Sequence, residues 1–158
     1  MVEVELSWPE AMQAVVAGAF RRIASLKNGL RNQHGFDDEE HDGWGVDIEG
    51  AAGEMAVAKF FDQYYVPTLN TFKSMRDSCG CEIRTTKKHS NRLIVREKDD
   101  DSHIYILVTG QIPTFRIRGW MYGREAKQEK WVEGPNGRSP AWFIPSEELR
   151  PMEELKIH

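Results

Sequence analysis

Residues 81–121 decide the fold class and read CEIRTTKKHSNRLIVREKDDDSHIYILVTGQIPTFRIRGWM. Four segments are rich in the Ile, Val, Thr and Tyr that favour strands: 81–86, 92–97, 103–109 and 114–121. Short segments of turn-forming composition separate them, so the pattern predicts consecutive antiparallel strands. A short helical segment near 123–130 and a last strand at 142–144 are expected to follow.

Two helices are predicted before this strand-rich stretch. Ser7 and Glu10 enclose Trp8-Pro9 in the pattern of a capping box, and Asn28-Gly29 is a plausible stop. The apolar residues between these signals recur every three or four positions, as in a helix: Met12, Val15, Val16, Ala19, Ile23, Leu26 and Leu30. A second helix is expected over 50–63, with small residues that allow close approach to another backbone.

Helices followed by strands predict an α+β fold, with N-terminal helices packed on a central mixed, largely antiparallel sheet of four to five strands. The 158 residues suit one domain, divided into a first helix (1–31), an acidic loop (32–48), a core (49–150) and a tail (151–158). With 40% hydrophobic and 29% charged residues, the composition excludes disordered, collagenous and coiled-coil classes.

Targeting signals, cysteine content and the distribution of charge limit the classes of function that the sequence allows. No apolar run approaches the roughly 20 residues that cross a bilayer, the N-terminus lacks a signal-peptide pattern, and Cys79 and Cys81 are the only cysteines. An intracellular, cytoplasmic protein without a membrane partner is therefore expected. Residues 32–58 hold eight carboxylates and no Lys or Arg, whereas residues 84–96 hold five basic side chains and no carboxylate. Such segregation suits a site that holds cations next to phosphates, although two solvated segments of opposite sign are commoner.

One constellation within these segments could do chemistry. Residues two apart on a strand point to the same face, so Glu82 and Arg84 are expected side by side. Asp77 lies five residues before Glu82, and Glu54 lies in the second predicted helix. Three carboxylates near one basic side chain suit Mg²⁺, which prefers oxygen ligands. From spacing alone, ordinary turn and surface residues explain the pattern better.

The order of these residues resembles the PD-(D/E)XK nuclease-like superfamily. The chain is similar to its small phage- or mobile-element-type members, in Gly53-Glu54 of a helix, then Asp77, then Glu82-Ile83-Arg84-Thr85-Thr86 of a strand. The resemblance implies a restriction-endonuclease-like core and hydrolysis of DNA with Mg²⁺ or Mn²⁺ as the cofactor. It implies that Glu54, Asp77 and Glu82 are catalytic metal ligands, with catalytic Arg84 in the place of the motif's lysine. A phage-encoded protein in a bacterial host is the implied setting.

Arginine at position 84 departs from the motif. Its guanidinium keeps the positive charge but does not lose its proton, so it cannot act as a general base. Three explanations stay open: catalysis tolerates Arg84, a nearby lysine (Lys59, Lys87 or Lys88) supplies the ammonium, or the site only binds. The function is accordingly a metal-dependent DNA nuclease or, alternatively, a catalytically degenerate module that binds nucleic acid or protein. An α+β domain of unrelated role requires the four motif positions to coincide by chance.

DNA is the expected partner, and a homodimer is compatible with the sequence. Four polar residues in and after the predicted strands are candidates for contact with nucleic acid: Lys87, Lys88, Arg92 and Gln111. Lysine and arginine at a turn can hold a phosphate backbone, and a glutamine at a strand end can reach a base. Solvated turn residues are the commoner alternative for all four.

Overall fold

Two β-sheets and a layer of two long helices form the structure, a computed structural model that describes residues 1–29, 43–67, 81–134 and 139–156. The helices are α1 (Trp8–Lys27), α2 (Gly43–Phe60) and the short α3 (Gly123–Ala126). The strands are β1 (Val2–Glu5), β2 (Glu82–Thr86), β3 (Leu93–Arg96), β4 (Ile104–Gln111), β5 (Thr114–Tyr122), β6 (Val132–Glu133) and β7 (Ala141–Ile144). Single 3₁₀ turns occur at Glu129–Trp131, Ser146–Glu148 and Met152–Glu154. The predicted α+β class is confirmed.

The first sheet has four strands in the order β1-β5-β4-β2. Its pairs β1–β5 and β5–β4 are antiparallel, and β2 runs parallel to β4 with Glu82 opposite Tyr105. The sheet is therefore mixed and largely antiparallel, as the sequence predicts. β3, β7 and β6 form a separate antiparallel sheet, in which Leu93 lies opposite Ile144.

The prediction of consecutive antiparallel pairing across residues 81–109 is wrong. β3 leaves the first sheet and pairs with β7, so β2 meets β4 in parallel across a crossover. The reason is burial: Leu93 and Val95 are fully buried in a hydrophobic cluster that also contains Ile144 and Trp131. Turn composition marks where the chain changes direction, but side-chain packing selects the partner strand.

A first strand at the N-terminus is absent from the sequence-based assignment. β1 pairs antiparallel with β5, with Val4 opposite Phe115. The alternation Val2-Glu3-Val4-Glu5 is the two-residue period of a strand with one buried face. Val4 is buried and both glutamates are exposed. The alternation therefore indicates the strand correctly, but it spans only these four residues.

Helix α1 begins and ends as predicted. The Ser7 amide donates to Glu10 Oε2 at 2.7 Å, and the Glu10 amide donates to Ser7 Oγ at 3.4 Å, which confirms the capping box. Lys59 bonds the same carboxylate and lowers the pKa of Glu10. The helix stops before Gly29, whose φ of 64° lies in the left-handed region that glycine adopts readily.

The two faces of α1 are the reverse of the usual amphipathic arrangement. Its buried side consists of small residues: Ala11, Ala14, Ala17 and Gly18. The large apolar side chains whose spacing predicted the helix are exposed. Small residues face inward because α2 lies so close that a Cβ on Gly18 would be 2.7 Å from the Asp47 carbonyl oxygen.

Helix α2 begins at Gly43, seven residues before its predicted start and within the predicted acidic loop, and ends at Phe60. Gly43 packs on the Arg22 side chain, and at the other end Lys59 reaches Glu10, so α1 and α2 run antiparallel. The acidic residues before Gly43 lie outside the described residues. Neither long helix is apolar enough to span a membrane, and the same holds for every helix in the described ranges.

Each face of the first sheet has its own hydrophobic cluster. Ile83, Ile106 and Val108 belong to the cluster beneath α2, whereas Tyr105 and Leu107 belong to the cluster shared with β3 and β7. In a strand, neighbouring side chains point to opposite faces. The position of every polar residue on β2 follows from this alternation.

Candidate functional site

Glu54 lies in the middle of α2 and is buried, with 6% of the residue exposed. Its two carboxylate oxygens each accept a hydrogen bond from the Arg21 guanidinium at 2.7 Å, and the Tyr65 hydroxyl lies 3.3 Å from Oε2. A bidentate, charge-assisted pair of this kind is among the strongest side-chain contacts. In this arrangement the carboxylate of Glu54 ties α2 to α1.

Glu82 and Arg84 lie on the face of β2 turned away from the helices. A Cβ on Gly53 of α2 would collide with Thr85, and Ile83 belongs to the cluster beneath α2. Alternation therefore directs Glu82 and Arg84 to the opposite face, beside Tyr105. The structure brings Glu82 and Arg84 together, as predicted, and separates both from Glu54.

Arg84 is held by an ion pair and an aromatic ring. Its Nη2 lies 2.9 Å from Asp99 Oδ2, and its guanidinium carbon lies 5.4 Å from the centre of the Tyr105 ring. Asp99 also accepts a bond from the Arg96 amide at 2.8 Å. Asp99 is a partner of Arg84 that the sequence analysis missed, because it lies on the loop after a strand of the other sheet.

Glu82 faces a second polar group on the same side of the sheet. Its Oε1 lies 3.5 Å from His103 Nδ1, and His103 Nε2 lies 3.8 Å from an Asp100 oxygen. Burial raises the pKa of the Tyr105 hydroxyl, and the carboxylates of Asp99 and Glu82 raise it further. The hydroxyl thus stays protonated and donates to the Asp100 carbonyl at 3.1 Å.

The described members of the predicted metal triad do not fit a shared metal ion. Glu54 belongs to the helical layer and is bonded to Arg21, whereas Glu82 lies across the sheet. Asp77 lies outside the described residues. Within the four described ranges, no group of three His, Cys, Asp or Glu side chains could hold a metal ion.

A cavity of about 420 Å³ opens where β2 and β4 end and β5 begins. Its side-chain lining includes Lys87, His89, Gln111, Arg116 and one carboxylate, Glu3. Gly110 and residues 112–114 of the β4–β5 turn complete the described lining. Two of the four predicted nucleic-acid contacts, Lys87 and Gln111, therefore meet in one place, beside two residues that the sequence analysis did not select.

Two of the cavity side chains contact a polar partner. His89 Nδ1 lies 2.8 Å from Thr109 Oγ1, and Thr109 is fully buried on β4. Arg116 Nε lies 3.2 Å from Glu3 Oε2 in a pair that is substantially exposed. Exposed ion pairs contribute little to stability. An anionic ligand that binds more strongly can therefore replace Glu3 as the partner of Arg116. The signal that could have identified Arg116 is register, since it lies opposite Thr109 on β4.

The other two predicted contacts lie away from the cavity lining. Lys88 is exposed in a turn, where its carbonyl accepts from the Asn91 amide at 3.1 Å. Arg92 forms a bidentate pair with Glu133, at 2.6 Å and 3.2 Å, and packs over the Phe143 ring. Arg92 thus belongs to the second sheet, and the structure does not bring it to Lys87 and Gln111.

Glu49 of α2 lies close to the cavity. Burial raises the pKa of its carboxyl, while a hydrogen bond from the Ile112 amide and the charge of Lys87 act in the opposite direction. Its Oε2 is buried and makes no hydrogen bond. An ionised group with a buried, unbonded oxygen destabilises the folded state relative to its neutral form.

A pH-dependent stability follows for Glu49. Because its folded-state pKa is raised, the folded protein loses stability as pH rises above 4.5, the ordinary value. Glu49→Gln keeps an acceptor for the Ile112 amide but carries no charge. We expect it to melt at a higher temperature than the parent at pH 7.5 and at nearly the same temperature at pH 4. Thermal melts at both pH values, with the exposed Glu153→Gln as the control, measure the difference; an equal gain in both variants would contradict it.

Comparison of the chain with protein-family models, with curated proteins and with solved structures finds no match.

Proposed function

We propose that the protein binds nucleic acid through the cavity at the end of β2 and β4. The observation that carries this proposal is the meeting of Lys87, His89, Gln111 and Arg116 around one opening. Lysine and arginine bind phosphate oxygens, and glutamine can pair with a base edge. The resemblance to nuclease-like proteins supports DNA as the partner. In this binding role, Glu54 joins α2 to α1 through its pair with Arg21.

The charge of the cavity supports an anionic ligand. Lys87 and Arg116 contribute two positive charges, while Glu3 is the one carboxylate among the described residues of the lining. His89 Nδ1 is bonded to Thr109 Oγ1, so Nε2 is the ring nitrogen left to contact a ligand. A lysine and an arginine beside one opening are typical of a site that binds phosphate oxygens.

Binding is expected to depend steeply on salt, and each cationic side chain should contribute to the slope. Lys87→Ala and Arg116→Ala each remove one phosphate contact, so each should lower the slope of log K against log salt by about 1. The measurement is fluorescence anisotropy on duplex and single-stranded oligonucleotides between about 50 and about 200 mM salt.

Lys98→Ala is the matched control for this experiment. It removes the same charge from an exposed lysine on the loop before β4, whereas the cavity lies where β4 ends. Lys98→Ala should keep the parent's slope. A slope that is unchanged in Lys87→Ala and Arg116→Ala, or lowered equally by Lys98→Ala, would place the binding surface elsewhere.

A DNA nuclease is the second candidate. Glu82 and Arg84 are adjacent on one face of β2, as the motif requires of its glutamate and lysine, and this supports it. With Mg²⁺ or Mn²⁺ present, a nuclease should nick plasmid DNA, and Glu82→Gln should abolish the cleavage. Arg84→Lys should retain it. If the parent and Arg84→Lys leave plasmid, single-stranded and branched DNA intact, the nuclease proposal fails and the binding proposal stands on the anisotropy data.

A further inference from the structure

The outward face of α1 is apolar from Trp8 to Leu26. Its exposed residues between positions 12 and 26 include one polar side chain, Gln13, and no charged one. Large apolar side chains with exposures of 39–72% make up the rest of this face, together with Trp8 at its start: Trp8, Met12, Val15, Val16, Phe20, Ile23 and Leu26. We call these seven residues the α1 outer face. Contiguous apolar patches of such extent mark interaction sites.

We propose that the α1 outer face binds the same face of a second copy of this chain, with the two α1 helices antiparallel. The proposal concerns assembly and does not depend on the proposed nucleic-acid site. Its basis is the spacing of the residues on the face, the area that they offer and the small residue at their centre.

The spacing of the face is symmetric about Ala19. Met12 and Leu26 lie seven residues on either side of it, and Val15 and Ile23 lie four residues on either side. At 3.6 residues per turn, these five positions fall within an arc of about 80°. When such a helix is turned end to end, it presents the same spacing. A two-fold axis through Ala19 therefore places Met12 against the partner's Leu26, and Val15 against the partner's Ile23.

The size and polarity of the residues suit this arrangement.

 Ala19 is partly exposed at the centre, with larger side chains on both sides, so two helices can approach closely where they cross. Antiparallel helices also oppose their macrodipoles favourably. The three- and four-residue alternation through Met12, Val16, Ala19, Ile23 and Leu26 is the pattern by which one helix packs on another.

The area is sufficient for a stable dimer. Seven side chains that are about half exposed offer roughly 100 Å² each, given that aromatic side chains bury about 150–250 Å² in full. The sum is about 700 Å² per copy, close to the ~800 Å² per partner of a standard interface. A neighbouring surface is not needed to reach this size.

Charge placed on the face should dissociate the dimer. Val16→Glu and Ile23→Glu change exposed residues, so the fold should persist, while each puts a carboxylate into the apolar contact. In sedimentation velocity and light scattering at micromolar concentrations, we expect the parent to be a dimer and both variants to be monomers. Circular dichroism and thermal melts verify that the variants are folded.

Gln13→Glu is the matched control. It adds the same charge to an exposed position of the same helix, but about 120° around the helix axis from Ala19, whereas Val16 and Ile23 lie within about 60° of it. The control should remain a dimer. A parent that is monomeric at these concentrations, or a dimer that persists in both Val16→Glu and Ile23→Glu, would overturn the proposal.

Cysteine cross-linking tests the orientation. In a background with Cys79→Ser and Cys81→Ala, Ala19→Cys should form an intermolecular disulfide because the two-fold axis brings the two copies of position 19 together. Met12→Cys should not, since antiparallel packing separates the two copies by 14 residues, or about 21 Å along the helix. Efficient cross-linking of Met12→Cys would overturn the antiparallel arrangement.

Discussion

The Arg21→Met variant is expected to unfold with about 3 kcal/mol less free energy than the parent, because it leaves the Glu54 carboxylate buried without its bidentate partner. The side chains of Arg21 and Glu54 are 15% and 8% exposed, so water replaces little of the lost pairing. For a chain of this length, such a loss corresponds to a fall in Tm of about 6–12 °C. Urea unfolding followed by circular dichroism measures the change in free energy.

Arg92→Met is the matched control for this first prediction. The substitution is the same and Arg92 also forms a bidentate pair, with Glu133, but both side chains are more than 40% exposed. Exposed pairs contribute about 0–1 kcal/mol. Similar losses in the two variants would show that the pair between Arg21 and Glu54 is not protected from water.

A second substitution tests the cause of the loss. Glu54→Leu added to Arg21→Met removes the buried charge, so the double variant should recover much of the stability. Such a recovery would assign Glu54 a structural role. A loss of activity in a Glu54 variant would then be attributed first to impaired folding and not to the loss of a catalytic group.

Gly18→Ala is expected to cost about 2 kcal/mol, although alanine is the better helix former by about 1 kcal/mol. The added Cβ would lie 2.7 Å from the Asp47 carbonyl oxygen and the Ile48 amide nitrogen. Both are backbone atoms of α2, which cannot turn aside as a side chain can. The two helices must therefore move apart. Chemical denaturation measures the cost.

Gly50→Ala serves as the opposite case within the same pair of helices. No heavy atom in the described part of the chain lies within 4 Å of a Cβ at Gly50, so the substitution adds helix propensity without a collision. We expect a gain of about 0.5–1 kcal/mol. If both variants are stabilised, the backbones of α1 and α2 lie farther apart at Gly18 than the structure shows.

Local signals in the sequence predict the ends of α1 well and its buried face poorly. The capping box at Ser7 and Glu10 and the stop at Gly29 depend on neighbouring residues, so the sequence is enough to find them. The inward face of α1 depends on how near α2 comes, which is a tertiary property. A three- and four-residue apolar spacing predicts an interface but does not say whether it is the protein's own core.

The candidate site is likewise predictable from local sequence only in part. Alternation along one strand predicts that Glu82 and Arg84 are neighbours, and they are. The separation of Glu54 from them depends on which face of β2 packs on α2, and four residues in order do not contain that information. The cavity brings together Lys87, which follows β2, and Arg116 of β5. Their proximity depends on the pairing of β4 with both strands.

The pairing of β1 with β5 has a consequence for biosynthesis. Phe115 follows its partner Val4 by 111 residues, so a ribosome that adds about 5–20 residues per second needs about 5–20 s between them. The first strand to emerge therefore pairs only after the fifth has been synthesised. Until β1 docks, β5 presents an open edge on which a strand of another chain can add. A truncation that removes Val2–Glu5 would leave this aggregation-prone edge open permanently.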